Sequence, residues 1–364
     1  MAPGEMNAAP DLGRIGRALV IRHRAGGDLL LSTPALRALR AGLPHARIEV
    51  LTARGMGELL RGNPNVDSIL EFDRRSLVSQ AALYARLLRG GYGLVLDMVS
   101  NPRSALMTAL TRAGVRVGYD LPGRAYAYTL RLPREPSGPS GPTLRYAPEA
   151  ALDLVRALRI APRGLSLTFK VAAEARERMD AWLAEAGLGA GRPWVACLPS
   201  GSWRAKTWPP DRFAAVLDAL SADADVVWIW GPGEREIAES CRSLMKRPSH
   251  VAPPTGWQEL GGLLQRASLL LSNDSGPKHV AVALGVPTVT IFGPTHPATW
   301  HPPDGPHTAL FARGLQCLHC NETVCPLSGE RNMRCMIDLT VDQVLEACRR
   351  RLSSGVRGIP CESR

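Results

Sequence analysis

Residues 268–293 have the sequence SLLLSNDSGPKHVAVALGVPTVTIFG, and this stretch gives the clearest indication of the fold. It opens with a short apolar run, passes through a polar turn into a helical pattern, and ends in a run rich in β-branched residues. This order predicts a buried strand over 268–274, a helix from Pro277, and a strand over 287–293. A strand, a helix and a strand in succession are typical of a parallel sheet.

Several chemically active side chains lie at the start of this predicted helix. Within six residues the turn gathers Asp274, Ser275, Gly276, Lys278 and His279. The free N–H groups of a first helical turn and the helix dipole favour an anion such as a diphosphate, and glycine allows close approach to the backbone. A plainly capped helix is the alternative, and the residues alone leave both interpretations open.

The same alternation of apolar runs and helical patterns extends along the rest of the chain. In the first half, strands are predicted over 17–23, 46–52, 67–72, 94–99 and 115–120. In the second half, strands are predicted over 193–202, 226–233, 268–274 and 287–293. Helices are predicted over 28–43, 76–90, 102–113, 146–159 and 211–221, and from residues 172, 234 and 277. This alternation predicts an α/β protein with two Rossmann-like parallel-sheet halves.

The domain bounds follow from this pattern and from one shift in composition. Residues 134–142 are rich in Pro, Gly and Ser and predict a linker, taken as about 134–145. The predicted segments are a disordered tail (1–14), an N-terminal Rossmann-like domain (15–165), a C-terminal one (166–340), and a helix and tail that packs back on the N-terminal domain (341–364). Two such domains would place a ligand in the cleft between the carboxyl ends of their sheets.

Composition excludes some classes of protein. The 364 residues are 45% hydrophobic, which suffices for packed cores. No run of 18 apolar residues occurs, so a membrane-spanning helix is not expected. The first residues have no apolar signal core, and we therefore expect a cytoplasmic protein.

Charge is distributed unevenly within a net charge of +11. Residues 1–165 hold 23 Arg, no Lys and 13 acidic residues, whereas residues 166–364 hold 21 basic and 20 acidic residues. A basic first half indicates an acidic partner, such as nucleic acid, an anionic membrane face or an acidic glycolipid. A solvated surface that is merely rich in Arg is the alternative. Nucleic acid is disfavoured, because aromatic residues are 5% of the chain and the Trp residues lie in the neutral half.

Two more motifs lie in the second half. In PSGSWRAKTWPPDRFAAVL (199–217), Lys206 stands between Trp203 and Trp208. Such a lysine can direct its charge at a phosphate or simply anchor at the surface. The segment WGPGERE (230–236) could hold a nucleoside ribose or base, with Glu234 or Glu236 on hydroxyls, although this pattern alone is weak.

In the first half, RHRAGGDLLLSTPALRALR (22–40) follows the first predicted strand. It lacks both the Gly-x-Gly-x-x-Gly spacing of dinucleotide binders and a Walker lysine. What stands at the strand tip is one carboxylate, Asp28, flanked by Arg22 and Arg24. A carboxylate in this position can be a general base for an incoming hydroxyl, or it can be a helix N-cap.

Together these motifs resemble glycosyltransferase family 9, the ADP-heptose:lipopolysaccharide heptosyltransferases, over nearly the whole chain. Residues 20–40 resemble the family's first strand and Gly-Asp turn, and residues 94–120 resemble its Asp…Arg-Ser-Ala segment. Residues 199–217 resemble its Lys-x-Trp-Pro block. Residues 271–300 resemble its Asn-Asp-(Ser/Thr)-Gly-x-x-His block.

The resemblance implies a GT-B fold with an interdomain cleft and an inverting transfer that requires no cofactor. It implies that Asp28 is the general base and that Lys206 offsets charge on the leaving diphosphate. The expected donor-binding residues are Ser202, Glu234, Asp274, Ser275, Gly276, Lys278 and His279. The expected acceptor-binding residues are Arg22, Arg24, Arg103 and Arg124. Lys278 departs from the family, where Met or Leu is expected, and could add a phosphate contact or face solvent.

The implied donor is ADP-L-glycero-β-D-manno-heptose, and the implied acceptor is an acidic lipopolysaccharide inner core at the inner membrane face, which the enzyme would contact peripherally. The alternatives are a related transferase with another nucleotide sugar or a protein acceptor, and a nucleotide-sugar epimerase. No nucleic-acid partner is expected.

Four cysteines form a cluster near the end of the predicted second domain: Cys317, Cys320, Cys325 and Cys335. The first pair has metal-ligand spacing, and the remaining spacing is irregular. A structural Zn or Fe site, reduced thiols packed in a loop, and an oxidation-sensitive pair are all compatible with the pattern.

Overall fold

The computed structural model describes residues 11–23, 25–134, 137–138, 141–142, 144–189, 191–201 and 203–354. The chain divides into two compact units, Met1–Lys170 and Val171–Arg364, and each contains one six-stranded sheet. Within the described ranges, none of the helices is both long enough and apolar enough to cross a membrane.

The first unit alternates strands with helices through most of its length. Its strands are β1 (Arg17–Ile21), β2 (Arg47–Ala53), β3 (Ser68–Phe72), β4 (Leu94–Asp97), β5 (Val115–Tyr119), β6 (Leu130–Leu132), β7 (Ser137–Gly138) and β8 (Gly141–Pro142). Its helices are α1 (Gly26–Leu31), α2 (Thr33–Gly42), α3 (Leu77–Arg89), α4 (Pro102–Leu110) and α5 (Pro148–Arg156). β7 and β8 form a small antiparallel pair outside the main sheet.

The main sheet of the first unit has the order β3-β2-β1-β4-β5-β6, with every neighbouring pair parallel. The order reverses between β1 and β4, where Ile21 lies opposite Asp97. Loops that leave adjacent strands in opposite directions open a crevice at the carboxyl edge of a sheet. The crevice of this unit therefore lies between the loops that follow β1 and β4.

The second unit repeats this plan with different residues. Its strands are β9 (Trp194–Leu198), β10 (Asp225–Trp228), β11 (His250–Val251), β12 (Leu269–Asn273), β13 (Thr288–Phe292) and β14 (His307–Phe311). Its helices are α6 (Ala173–Glu185), α7 (Pro210–Leu220), α8 (Arg235–Ser243), α9 (Trp257–Leu264), α10 (Gly276–Ala283), α11 (Pro297–Trp300), α12 (Arg334–Ile337) and α13 (Val341–Ser353). The parallel order β11-β10-β9-β12-β13-β14 reverses between β9 and β12.

The stretch that opened the sequence argument folds as expected, into β12, α10 and β13. All residues of both strands are buried, as in a parallel sheet covered on both faces. Pro277 lies in the first turn of α10, where its missing N–H removes no helical hydrogen bond. The helix ends at Ala283, and Gly285 then takes a positive φ of 70° that favours glycine.

The predicted fold class is thus confirmed: both halves contain a parallel sheet of the Rossmann order. Several predicted elements differ in their bounds, and one predicted helix was wrong. The helix expected over 28–43 is two helices, α1 and α2, which are separated at Ser32. The hydroxyl of Ser32 donates to the carbonyl of Leu29 at 2.6 Å, and Pro34 lacks the N–H that a continuous helix would use.

The C-terminal helix packs within the second unit, where α13 contacts α7, β12 and β13. The expectation that the segment from residue 341 packs on the first half stays a prediction. Its buried residues, Val344, Ala347 and Cys348, join the core that contains Trp208 and Phe213. The apolar face of α13 thus completes the core of the second unit. Residues 355–364 lie outside the described residues.

Candidate active site

Asp274, the residue after β12, is the centre of a cluster of charges in the second unit. Its Oδ1 accepts a hydrogen bond from Lys278 Nζ at 2.6 Å. Its Oδ2 accepts from Lys206 Nζ at 3.1 Å and from Thr295 Oγ1 at 2.7 Å. Asp274 is only 4% exposed, so the carboxylate depends on these donors in place of water.

Lys278, in the first turn of α10, is completely buried. Its Nζ also donates to the carbonyl of Trp300 at 2.8 Å and lies 4.8 Å from the centre of the Phe292 ring. The alternative that this lysine faces solvent is therefore wrong. With two of its three N–H donors occupied, Lys278 has one left for a ligand and otherwise fixes Asp274.

Lys206 lies in a short 3-10 turn, Arg204–Lys206, between β9 and α7. Its side chain is 11% exposed, and Nζ lies 4.1 Å from the centre of the Trp203 ring. The next tryptophan, Trp208, anchors the turn from the core, because its indole N–H donates to the carbonyl of Leu339. Of the two lysines that contact Asp274, Lys206 is thus the one that is partly exposed to solvent.

Asn273, the last residue of β12, joins the loops around the cluster. Its Nδ2 donates to the carbonyl of Pro199 at 2.7 Å, and its Oδ1 accepts from the backbone N–H of Trp208 at 3.1 Å. One buried amide therefore connects the ends of β9 and β12 with the turn that carries Lys206. Asn273 thus links the loops at the point where the strand order of the second sheet reverses, between β9 and β12.

The electrostatics of the cluster follow from its burial and its charges. Burial raises the pKa of Asp274, but Lys278 and Lys206 more than offset this and hold the pKa well below its ordinary value. Burial lowers the pKa of Lys278, and the adjacent Asp274 opposes this shift. Two ammonium groups and one carboxylate leave one positive charge in excess, which suits an anionic ligand.

The N-terminus of α10 supplies further donors beside the cluster. The N-cap Ser275 is extended (φ −144°, ψ 167°), and its side chain makes no capping hydrogen bond. In the part of the chain that the structure describes, its buried Oγ and the Nδ1 of the buried His279 have no hydrogen-bond partner. Burial, reinforced by Lys278, lowers the pKa of His279 well below its ordinary value, so the imidazole is neutral at pH 7. These features favour an anion site over a plainly capped helix.

Glu234 lies at the start of α8, in the loop after β10. Its Oε2 accepts from the hydroxyl of Ser200 at 2.6 Å and from the backbone N–H of Gly231 at 3.0 Å. Among the described residues, no donor reaches its Oε1, which is left to accept from a ligand hydroxyl. Since β10, β9 and β12 are neighbours, Glu234 lies at the same sheet edge as the charge cluster.

In the first unit, Asp28 lies at the carboxyl edge of the sheet. It is the third residue of α1, whose N-cap is Ala25, so the helix-cap alternative for Asp28 is wrong. Its Oδ2 lies 3.3 Å from a guanidinium nitrogen of Arg22, and the two side chains are 27% and 22% exposed. Arg22 is itself held by the carbonyl of Met98, at 2.5 Å. Within the described part of the chain, Asp28 is thus oriented by Arg22 and stays accessible.

Both loops that border this crevice contain unusual backbone. Ala25, after β1, has φ 48° and ψ 127°, and Ser100, after β4, has φ 52°. Such conformations are costly for residues with a side chain and are concentrated at functional sites. The buried Asp97 supports the second loop by accepting from the backbone N–H groups of Val99 and Ser100, each at 2.9 Å. Burial raises the pKa of Asp97, whereas these hydrogen bonds lower it and only partly offset the effect.

The remaining candidates differ in what the structure says of them. Arg24 and Ser202 lie outside the described residues. Arg103 is partly buried on α4 and has no ion-pair partner among the residues described. Arg124 donates to the carbonyl of Pro122 at 2.6 Å. The acceptor roles of these arginines stay predictions.

The cysteine cluster does not form a metal centre in this structure. Cys317 and Cys320 are exposed, and Cys325 and Cys335 are partly buried. Among the described residues, which include all four cysteines, no three His, Cys, Asp or Glu side chains are grouped so that they could hold a metal ion. The sulfur of Cys325 instead accepts from the backbone N–H of Met333 at 3.4 Å. Burial, reinforced by Cys320, Cys317 and Cys325, nevertheless raises the pKa of the Cys335 thiol to about 11, so the four thiols lie near one another and the structural metal site stays a prediction.

The loop that carries these cysteines is nevertheless attached to the charge cluster. The Nδ1 of His319 lies 2.9 Å from the carbonyl of Thr295, the residue whose hydroxyl holds Asp274. The backbone N–H of Asn321 donates to Pro294 at 2.7 Å, and the carbonyl of Thr323 accepts from the N–H of Ala205 at 3.2 Å. The loop thus makes hydrogen bonds to the two segments that contact Asp274, one at Pro294 and Thr295 and the other at Ala205.

Sequence reasoning missed three residues of this site: Ser200, Asn273 and Thr295. Each stands at or just beyond the carboxyl end of a strand, which is the one signal that could have identified it. The hydrogen bonds that give them a role run to residues 21–74 positions away, so no local pattern could reveal the partners.

Comparisons with known proteins agree with this architecture. Residues 80–330 match the family model described as glycosyltransferase family 9 (heptosyltransferase). Lipopolysaccharide heptosyltransferase 3 of Escherichia coli is 26% identical over 297 residues, covering 77% of this chain and 84% of the relative. A glycosyl transferase family 9 structure from Veillonella parvula has a TM-score of 0.81 at 22% identity, over 93% of this chain and 98% of that one. E. coli ADP-heptose lps heptosyltransferase II has a TM-score of 0.74 at 20% identity, over 93% and 99%.

Proposed function

Because this chain belongs to glycosyltransferase family 9, the heptosyltransferase family, we propose that it transfers a heptose from ADP-L-glycero-β-D-manno-heptose to an acidic lipopolysaccharide inner core. The transfer would invert the configuration at the anomeric carbon. The similar E. coli proteins are described as a lipopolysaccharide heptosyltransferase and an ADP-heptose heptosyltransferase, which supports both the donor and the acceptor class.

The observation that carries the proposal is the cluster of Lys206, Asp274 and Lys278 at the N-terminus of α10. A diphosphate placed there would meet one excess positive charge, the N–H groups of the first helical turn, and two atoms without a hydrogen-bond partner among the described residues, Ser275 Oγ and His279 Nδ1. Gly276 leaves room for the phosphate beside the backbone. Because these groups are held in place before the reaction, they stabilise the charge that develops on the leaving ADP without reorganising.

In this mechanism Lys206 is the residue that neutralises the leaving group. As the bond from the anomeric carbon to the diphosphate oxygen breaks, the electron pair stays with ADP, and the Lys206 ammonium offsets the new negative charge. Asp274 keeps the ammonium directed, and Lys278 and Thr295 keep Asp274 in place. A remaining lone pair of Asp274 can accept from a hydroxyl of the donor sugar. We propose that the transfer is independent of metal because Lys206 and α10 provide the positive charge.

Glu234 would orient the nucleoside part of the donor. Its unoccupied Oε1 is suited to a ribose hydroxyl, while Ser200 and Gly231 fix the carboxylate through Oε2. Ser202, in the same loop as Ser200, is proposed as a further donor contact from the family resemblance alone.

Asp28 would act as the general base of the reaction. Its carboxylate takes the proton of the acceptor hydroxyl as that oxygen forms its bond to the anomeric carbon. Arg22 orients Asp28 and would lie beside an acidic acceptor. The excess of arginine in residues 1–165, among them Arg24, Arg103 and Arg124, would attract the phosphates and carboxylates of the inner core. Such an acceptor places the enzyme in the cytoplasm, at the inner membrane face.

Calorimetric titration with ADP, UDP, GDP and CDP, without added metal, tests the donor assignment. We expect selective binding of ADP that weakens about 10- to 100-fold in Lys206→Ala, as for the loss of a charge-assisted hydrogen bond. Lys246→Ala is the matched control, since Lys246 is an exposed lysine of the same unit. Preference for another nucleotide would keep the reaction class and reject the donor. Absence of nucleotide binding would reject the site itself.

A further inference from the structure

The helix α3 of the first unit presents apolar side chains to the outside. Leu77 and Val78, its first two residues, are 81% and 80% exposed, and Leu88 is 42% exposed. Its buried residues, Leu83 and Leu87, already pack in the core of the unit. Single exposed apolar residues are common, but two adjacent ones that are almost fully exposed at a helix tip need a reason.

Basic residues directly precede these two side chains. Arg74 and Arg75 are exposed, and within the described parts of the chain neither has an ion-pair partner. The neighbouring Asp73 lies 3.7 Å from Arg54, which is itself largely exposed and offsets the charge of that carboxylate. The sequence of α3 contains no acidic residue and ends in Arg86 and Arg89. We call Arg74, Arg75, Leu77 and Val78 the α3 tip.

The α3 tip lies at the edge of the sheet that also carries Asp28. It follows β3, whereas Asp28 follows β1, and the strand order β3-β2-β1 separates them by two strand spacings, about 10 Å. Carboxyl ends of parallel strands share one edge, so a surface that touched the α3 tip would also lie near Asp28. An acceptor anchored in a lipid layer would then present its sugars to this edge.

We propose that the α3 tip docks the enzyme on an anionic lipid bilayer. Leu77 and Val78 enter the boundary between headgroups and acyl chains, and Arg74 and Arg75 bind the lipid phosphates. An apolar tip flanked by arginines is the pattern of a peripheral membrane contact, whereas an interface between two copies of this chain would bring like charges together. This inference rests on the proposed function in one respect, namely that the acceptor is lipid-linked.

Flotation with vesicles tests the docking surface directly. The probe is a set of vesicles of phosphatidylethanolamine and phosphatidylglycerol, compared with vesicles of phosphatidylcholine alone. We expect the wild type to float with the anionic vesicles and the double variant Leu77→Asp, Val78→Asp to partition at least about tenfold less. Aspartate is favourable in the first turn of a helix, so this variant should fold. Leu244→Asp is the matched control, since Leu244 is an exposed leucine at the end of α8 in the second unit (50% exposed).

The arginines are tested separately. Arg74→Gln with Arg75→Gln should lower partition to anionic vesicles by about fivefold for each arginine removed and leave partition to phosphatidylcholine unchanged. Equal flotation of the wild type and the double aspartate variant would overturn the proposal. So would a wild-type dimer that the aspartate variant splits, because the α3 tip would then be an interface between copies.

The two proposals can fail independently. Vesicle binding needs no donor, and nucleotide binding needs no lipid. A protein that floats through the α3 tip but binds no nucleotide rejects the proposed function and keeps the docking surface. A protein that transfers heptose to a delipidated acceptor, yet floats equally well with and without Leu77 and Val78, rejects the docking surface alone.

Discussion

The two units share one strand order, yet they hold the carboxylates at their switch points in opposite ways. Among the residues that the structure describes, Asp28 has one charged partner, Arg22, and its side chain is 27% exposed. Asp274 has three donors and a side chain that is 5% exposed. A carboxylate that takes a proton needs access and free lone pairs, whereas one that fixes cations needs burial and full pairing. The corresponding edges of the two sheets thus hold carboxylates that suit two different proposed roles.

The composition of the two units differs in a way that makes this comparison measurable. All eight Trp residues lie in the second unit and all six Tyr residues in the first. Tryptophan emission therefore reports on the unfolding of the unit that contains Asp274, and it does not report directly on the unit that contains Asp28. The two carboxylates can be probed separately in the intact chain.

The largest effect is expected at Asp28. Replacing it with Asn keeps the shape of the side chain and removes its ability to accept a proton, so transfer should fall by about 10²- to 10⁴-fold. Donor affinity measured by calorimetry should stay unchanged, because Asp28 and the charge cluster belong to different units. Asp120→Asn is the control, since Asp120 is an exposed carboxylate of the first unit paired with Arg131. If Asp28→Asn retained most of its transfer rate, the proposal that Asp28 is the general base would be rejected.

Asp274→Asn should instead act on stability. It leaves the fully buried Lys278 without a counter-charge, which costs about 3–5 kcal/mol in comparable buried pairs. Urea unfolding followed by tryptophan emission measures this change in the free energy of unfolding of the second unit. Asp28→Asn serves as the reference in the same assay and should leave that transition in place. A change below about 1 kcal/mol for Asp274→Asn would show that the lysines do not need the carboxylate.

Much of this arrangement was accessible from the sequence. The alternation of strands and helices predicted both sheets, and polar residues at strand ends predicted Asp28, Lys206 and Asp274 as site residues. The burial of Lys278 was not predictable, because it depends on Phe292 and Trp300, 14 and 22 residues further along. The break at Ser32 and the support from Asn273 and Thr295 were likewise missed, because their hydrogen bonds depend on the folded geometry.

A smaller effect, caused by acid, also distinguishes the units. In the second unit burial, reinforced by Lys278, lowers the pKa of His301 to about 4, and burial, reinforced by His301, lowers the pKa of His307 to about 3. Below about pH 6.5 these two histidines take up protons in the unfolded chain but stay neutral in the folded protein. Folding stability is therefore lost as the pH falls from about 6.5 towards the folded pKa values. Each histidine should cost about 2 kcal/mol at pH 5. In the first unit burial raises the pKa of Asp97, so the folded state binds this proton more readily than the unfolded chain does. Its effect is opposite to that of the two histidines, because it favours folding as the pH falls.

The measurement is urea unfolding at pH 7 and pH 5, followed by tryptophan emission, with hydrogen exchange by mass spectrometry to compare peptides of the two units. His307→Asn removes one of the histidines with a lowered pKa, so its loss of stability between these pH values should be smaller than that of the wild type by about 2 kcal/mol. An equal loss in the variant and the wild type would mean that His307 does not resist protonation in the folded state. The acid sensitivity of the second unit between pH 7 and pH 5 would then come from its other buried histidines, His301 and His279, since the depressed pKa of Asp274 removes stability only below the ordinary range of a carboxylate.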